Sequence, residues 1–202
     1  MKTAVVTSAT GEPLTLSEVK AHLRISTGET GENTYLNALI TAARREVENL
    51  TSRKLMPQTW KVCFDDWPSG DSFEIPYAPL KQIPSTGLKY TSSTGGSTTF
   101  SSTAWAADIV SEPGRLVLDY NDDWPTETLH NRNPIEITFK CGYGTVGGSS
   151  VHRLVPKDIK HAMLLLIGHW HENREHTVVG PSIAEMPFGV KAILGHYRLY
   201  HF

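Results

Sequence analysis

Tyr35-Leu-Asn-Ala-Leu-Ile-Thr-Ala-Ala-Arg-Arg-Glu-Val-Glu-Asn-Leu50 is the stretch on which the fold turns. Counted from Leu36, its apolar residues Leu39, Ile40, Ala43, Val47 and Leu50 fall at offsets 3, 4, 7, 11 and 14. Those offsets keep to one face of a 3.6-residue helix, so a long amphipathic helix is predicted here. Arg44, Arg45, Glu46 and Glu48 fall mostly away from the stripe, and Ser52, Arg53 and Lys54 finish the helix before the breaker Pro57. Just upstream, Leu14-Thr-Leu-Ser-Glu-Val-Lys-Ala-His-Leu-Arg24 carries a second helix start. Thr15 can accept from the amide of Glu18, and Glu18 can reach back to the amide of Thr15, with Leu14 and Val19 as a hydrophobic staple. This helix should end near Ile25 and be followed by a polar loop over 26–32. Residues 1–13 read as an extended arm.

The C-terminal end repeats the pattern. Pro156 suits a first helical turn. Ile159, Ala162, Met163, Leu166, Ile167 and Trp170 then form a stripe, with Leu164 and Leu165 on its flanks. That helix should be buried on much of its circumference. A loop over Thr177 to Glu185 precedes a last helix from about Pro187, with Val190, Ile193, Leu194 and Tyr197 on one face. The middle differs in texture. Trp60 to Phe64, Phe73 to Ile75, Leu88 to Tyr90, Asp108 to Val110, Arg115 to Leu118 and Ile135 to Phe139 read as short strands. Turn formers separate them at 68–70, Gly95-Gly96, Pro113-Gly114 and Asn133-Pro134, and Gly142-Tyr-Gly144 and Gly147-Gly148 close the run. Neither terminal part can bury its stripe alone. The expected class is therefore α+β: an antiparallel bundle of N- and C-terminal helices with a β-rich insertion, a small antiparallel sheet or sandwich. The corresponding domains are 1–59, 60–154 and 155–202.

Composition narrows the function. With 39% hydrophobic and 20% charged residues, the chain can bury an ordinary core without staples. A net charge of −2 lacks the basic excess of a general nucleic-acid binder. Residues 60–154 hold seven Lys/Arg against eleven Asp/Glu. That acidic balance reads first as a solvated surface, and more sharply as a face that repels passing DNA. Two cysteines, Cys63 and Cys141, both in strand-like runs, make no disulfide framework and suit synthesis in a reducing cytoplasm. No apolar run approaches the ~18 residues that span a bilayer, and the N-terminus lacks the apolar core of a secretory signal. No membrane association is expected.

The search for chemistry finds little. Six of the nine histidines lie after residue 155, which raises a metal-dependent hydrolase as an alternative. A zinc-protease helix needs two histidines four apart; His171-Glu172 is followed at the fourth position by Glu175 instead. His169 and His171 point about 200° apart on a helix. Glu172 and His176 could pair across one turn, which reads as a surface hydrogen bond. No nucleophile elbow, phosphate loop or dinucleotide fingerprint is present, and the two cysteines read as strand thiols. The acid pairs Asp65-Asp66 and Asp122-Asp123 sit beside Trp67-Pro68 and Trp124-Pro125. Glycoside chemistry would need a cleft between carboxylates, and none is evident. The tryptophans could be sugar platforms of a carbohydrate-binding module, but read first as lids on the end of a sheet. No catalytic residue, metal or cofactor is expected. The chain's end is different: Tyr197, Tyr200 and Phe202 with Arg198 and His201 are residue types enriched at interface hot spots.

Taken in order, these segments resemble the head–tail connector, or adaptor, family of long-tailed bacteriophages, prophages and gene-transfer particles. The resemblance runs through Leu16 to Arg24, Leu39 to Glu48, Thr51 to Trp60, Phe139 to Gly144, Val155 to Ala162, His171 to Glu175 and Pro187 to Leu194. It is loosest over 91–133. Each piece alone is ordinary helix grammar; their order and spacing carry the likeness. The resemblance implies a homo-oligomeric, dodecameric ring under the portal protein. The ring would extend the channel for packaged double-stranded DNA without reading its sequence, and offer a surface to a stopper or tail-terminator protein. It would belong to the virion neck.

It also implies that the C-terminal segment reaches the portal, which assigns that role to Gly195, His196, Tyr197, Arg198, Leu199, Tyr200, His201 and Phe202. A closed ring needs two different complementary faces per subunit. Arg44, Arg45 and Arg53 are expected to face the acids of a neighbour, and Asp65, Asp66 and Asp71 to line the channel. The polar loop at 91–102 and the His-rich last quarter have no counterpart in the resemblance.

Overall fold

The capping signal at Thr15 is realised atom for atom. In a computed structural model that describes residues 1–144, 154–174 and 188–199, Thr15 Oγ1 accepts from the amide of Glu18 at 3.2 Å and Glu18 Oε2 accepts from the amide of Thr15 at 2.7 Å. Helix α1 (Leu16–Leu23) follows and stops where Arg24 turns left-handed at φ 58°. The loop to α2 (Asn33–Thr51) is held by Lys20, which is buried and donates to the carbonyls of Thr27, at 3.3 Å, and Glu29. A buried ammonium needs such partners.

These helices belong to a helical unit, Gly11–Leu55 and Leu154–Tyr200, together with α3 (Lys157–Glu172) and α4 (Phe188–Gly195). Leu36, Leu39, Ile40, Ala43 and Val47 of α2 are buried, as are Ile159, Ala162, Met163, Leu166 and Ile167 of α3 and Val190 and Leu194 of α4. Leu164 and Leu165 are half-buried, in keeping with a helix covered on much of its surface. Two expectations need correction. Leu50, the last member of the α2 stripe, is 37% exposed. Arg44 and Glu48, placed off the stripe, are buried at 8% and 5%.

The second unit comprises Met1–Thr10 and Met56–Arg153. Its strands are β1 (Lys2–Thr7), β2 (Gln58–Phe64), β3 (Ser72–Glu74), β4 (Leu80–Gln82), β5 (Leu88–Thr91), β6 (Ser97–Thr99), β7 (Trp105–Asp108), β8 (Arg115–Leu118) and β9 (Ile135–Cys141). One sheet runs β1-β2-β9-β5-β6, with β4 also paired to β9; a three-stranded sheet runs β3-β8-β7. All pairings are antiparallel. The long central strand β9 alternates buried and half-buried residues along its length, so Ile135, Ile137, Phe139 and Cys141 face a core with Val62, Ile75, Leu80, Leu88 and Leu116.

The arm expected over 1–13 is thus a strand at its start, and it belongs with the sheet rather than with the bundle. The serine- and threonine-rich loop also contains a strand: β6 returns on β5 through a hairpin in which Ser92 N bonds Gly96 O at 2.9 Å and Gly95 takes φ 87°. Strand β7 ends at Asp108, where the sequence pattern starts a strand running to Val110. The Asp108 carboxylate accepts from the amides of Val110 at 3.1 Å and Ser111 at 3.0 Å and turns the chain. After β9, Gly142 adopts φ 106°, and a Cβ there would lie 2.2 Å from Met56 O, so only glycine fits. Cys63 pairs in register with Glu136, and Cys141 with Gln58, at opposite ends of the β2–β9 ladder; both thiols are free. The expectations for Gly147-Gly148, Glu175, His176, the 177–185 loop and Pro187 lie outside the described residues.

Candidate assembly surfaces

Charged residues of α2 act inside the helical unit before they can act outside it. Arg44 Nε donates to Glu12 Oε2 at 2.7 Å, and its Nη1 approaches Glu48 Oε1 at 3.4 Å. Thr41 Oγ1 donates to Glu12 Oε1 at 2.9 Å. Glu48 also accepts from the amide of Leu55 at 2.9 Å and stands 3.9 Å from Lys54 Nζ. Burial opposes the charge on Arg44, yet the bond it donates to Glu12 and the charge of Glu48 hold its guanidinium above its ordinary value. Arg53 Nε donates to the carbonyl of Tyr197 at 2.7 Å. Of the three arginines expected at a subunit interface, Arg44 and Arg53 are therefore buried with internal partners. Arg45 is exposed.

The C-terminal segment is bound to its own subunit over part of its length. Leu199 N donates to Thr51 O at 3.0 Å, just before α2 ends in left-handed Ser52. Tyr197 Oη donates to Asp158 Oδ2 at 3.1 Å; desolvation first, and the neighbouring Asp158 second, raise this phenol above its usual value. Leu199 is buried and Tyr197 half-buried, whereas Gly195, His196 and Arg198 are exposed. Tyr200, His201 and Phe202 lie outside the described residues. Between α2 and α4 is an apolar hollow of about 290 Å³, lined by Leu50, Lys191, Leu194, Gly195 and Arg198.

One histidine, His171, serves in a clasp. His171 Nε2 meets Glu32 Oε2 at 2.9 Å, Arg174 Nη2 bonds Glu32 Oε1, and the Arg174 guanidinium sits 4.7 Å from the Tyr35 ring centre. His171 first and Arg174 second lower the Glu32 carboxyl below its ordinary value. This joins the start of α2 to the end of α3. Among the described residues no three His, Cys, Asp or Glu side chains are grouped to hold a metal ion.

In the sheet unit, Trp67 and Trp124 stack on each other at 4.9 Å and 15°. Phe73 meets Trp124 edge-on at 5.1 Å, Tyr90 meets Trp67 at 5.7 Å, and Phe100 packs beside both. Trp124 Nε1 donates to Gly70 O at 2.9 Å. The facing sides of the two indoles thus cover each other, which suits a lid better than a sugar platform. A cleft of about 630 Å³, not foreseen from sequence, opens beside them, lined by Asp65, Asp66, Trp67 and residues 125–131. Asp65, Asp66 and Asp71 are all exposed.

Residues 13–90 match the family model of phage gp6-like head–tail connector proteins. Among solved structures, a chain of the neck of an empty gene transfer agent (GTA) particle, computed with C6 symmetry, is 25% identical, with a TM-score of 0.75 over 100% of this chain and 97% of that one. A chain of the native GTA virion gives 0.76 at 24% identity, and one from the native GTA neck computed with C12 symmetry gives 0.67 at 24%, each over the same shares. No curated protein sequence matches. The class so defined is that of structural proteins in the neck of phage-like particles. Over residues 13–90 the chain is similar to the head–tail connector family of that class. No helix among the described residues is long and apolar enough to cross a membrane.

Proposed function

We propose that copies of this chain close into a ring, about twelve strong, beneath the portal of a phage-like particle. The ring extends the DNA channel and gives a stopper or tail protein its landing surface. Its work is mechanical rather than catalytic. One observation carries this reading: the likeness to a chain of a symmetric particle neck extends over the whole of this chain and 97% of the other, so both units have counterparts there.

The roles of single residues follow from exposure. Arg45 is the arginine of α2 left for a neighbour's acids. Asp65, Asp66 and Asp71 line the channel and keep DNA sliding by repulsion. The C-terminal segment meets the portal through His196 and the aromatic residues beyond Leu199, and large rings there offset the freedom lost on docking. Two truncations test the segment against the portal protein of the same particle. Removing 200–202 should weaken portal binding tenfold or more while leaving the Leu199–Thr51 bond intact, and removing 196–202 should abolish it. Undiminished binding by both would remove the segment's role. Images of the particle neck test the ring itself: no annulus of this chain would end the proposal, and Asp65, Asp66 and Asp71 on an outer wall would end the channel assignment.

A further inference from the structure

Tyr120 is 94% exposed, which is unusual for a large ring on an ordered turn. The turn is firmly held: Asp119 N donates to Ala104 O at 3.0 Å, and Asp119 O accepts from the amides of Asn121 at 3.0 Å and Asp122 at 3.1 Å. The sequence there is Asp119-Tyr-Asn-Asp-Asp123, an aromatic knob ringed by three carboxylates. The hollow between α2 and α4 has the opposite character. Its floor is Leu50 and Leu194, and its rim carries the exposed cations Lys191 and Arg198. Leu50 reads from its helical period as a core residue, yet it lies open at 37%.

We infer that the Tyr120 turn of one copy seats in the Leu50–Leu194 hollow of the next, with Asp122 and Asp123 meeting Lys191 and Arg198. The inference rests on the proposed ring and names the surfaces that close it. A cyclic assembly needs two unlike faces that fit each other, and this one chain carries an acidic apolar knob and a basic-rimmed apolar hole. Tyrosine is among the residues that dominate interface energy, because it buries a large ring without losing many rotamers. The carboxylates around it set register and discourage like-charged partners. Tyr120 is absent from the aromatic packing of its own unit, and nothing in the turn's backbone bonding depends on the ring.

Cross-linking on assembled particles tests this. The variant combining L50C and Y120C, treated with a short bismaleimide, should give a ladder of multimers of this chain. Each single variant and the wild type, whose Cys63 is half-buried and Cys141 buried, should give none. A ring visible in the neck without a ladder would overturn the knob-in-hollow contact and leave the ring standing; no ring would overturn both. A fast-migrating monomer, or an adduct joining the L50C variant to the portal protein, would also overturn it. In a second experiment, D122K with D123K should cut the copies retained per portal at least tenfold, and adding K191E with R198E should restore them. Wild-type retention by the first pair, or no recovery on adding the second, would sink the charge pairing.

Discussion

The two units solve the burial problem with different chemistry. In the sheet unit the core is apolar and aromatic, from Val62 and Phe73 to Ile137 and Phe139. In the helical unit Lys20, Arg44, Glu48, Arg53 and Lys54 are all buried, and they are the buried charged side chains among the described residues. Each has a task that a hydrocarbon could not perform. Lys20 gathers loop carbonyls, Glu48 caps the amide of Leu55 where the chain leaves α2, and Arg53 grips the carbonyl of Tyr197. Packing specifies the sheet unit, while directional bonds fix the places where helices end and chain segments return. A buried ion pair is weak evidence of net stability, because desolvation offsets the attraction, but removing one partner is costly. The difference teaches that the helical unit is stiffened at its seams and the sheet unit at its centre.

The comparison breaks most easily at Phe139, which is fully buried in β9. Phe139→Ala should cost about 3–5 kcal/mol through lost transfer energy and an unfilled cavity. Urea unfolding followed by tryptophan fluorescence would register it, since Trp60, Trp67, Trp105 and Trp124 lie in the sheet unit. A loss under about 1 kcal/mol, well short of what such a cavity costs, would mean that β9 does not organise this core. Next in size is Glu48→Gln. It keeps an acceptor for the amide of Leu55 but deprives Arg44 and Lys54 of a charge, and should cost about 1.5–3 kcal/mol. Helix loss by circular dichroism would follow it. If Glu48→Gln were neutral, the seam would owe nothing to its charges and the contrast between the units would fail.

The sequence spoke clearly where local rules act alone. The capping box of α1 needs only Thr15 and Glu18, and the stripes of α2 and α3 need only the helical period. Strands β2, β5, β8 and β9 alternate, so they are readable too. Strands β1 and β6 are exposed along their whole length, so alternation had nothing to mark. Only the β-branched residues and the Gly95-Gly96 turn hinted at them. Arg44 looks solvent-facing by period because one of its partners is remote: Glu12 is 32 residues away. Glu48 looks so because its partners Lys54 and the amide of Leu55 lie just past the end of the helix, where the period no longer applies. The clasp from His171 to Glu32 spans 139 residues and leaves no local trace. Likewise, aromatic composition marked the C-terminal segment as a contact surface but could not tell that Tyr197 and Leu199 first contact their own helices. Tyr120 carries no signal in the sequence because exposure, not residue type, makes it unusual.

Smaller effects sharpen the same contrast. Thr15→Ala removes half of the capping box and should lower the stability of the helical unit by about 1 kcal/mol, read as a reduced melting temperature. Thr15→Ser should restore it.

Acid titration is the finest discriminator. Glu18 is held below the ordinary carboxylate range by Lys160 first and by the Thr15 amide second. Asp108 is held far lower, by Ser111 first and Arg115 after it. A depressed carboxyl stabilises the fold above its unfolded pKa, and that contribution fades as pH falls through the folded value. Both groups therefore favour neutral over acid pH, but Asp108 retains its contribution to lower pH than Glu18. Both pairs are partly solvated, so each effect should stay within about 1 kcal/mol. Comparing E18Q and D108N with the wild type across an acid series should show the E18Q difference closing first and the D108N difference persisting. If the two closed together, the turn after β7 would hold its carboxylate no more tightly than an exposed helix cap does. The seam–centre contrast would then have no electrostatic counterpart at the surface.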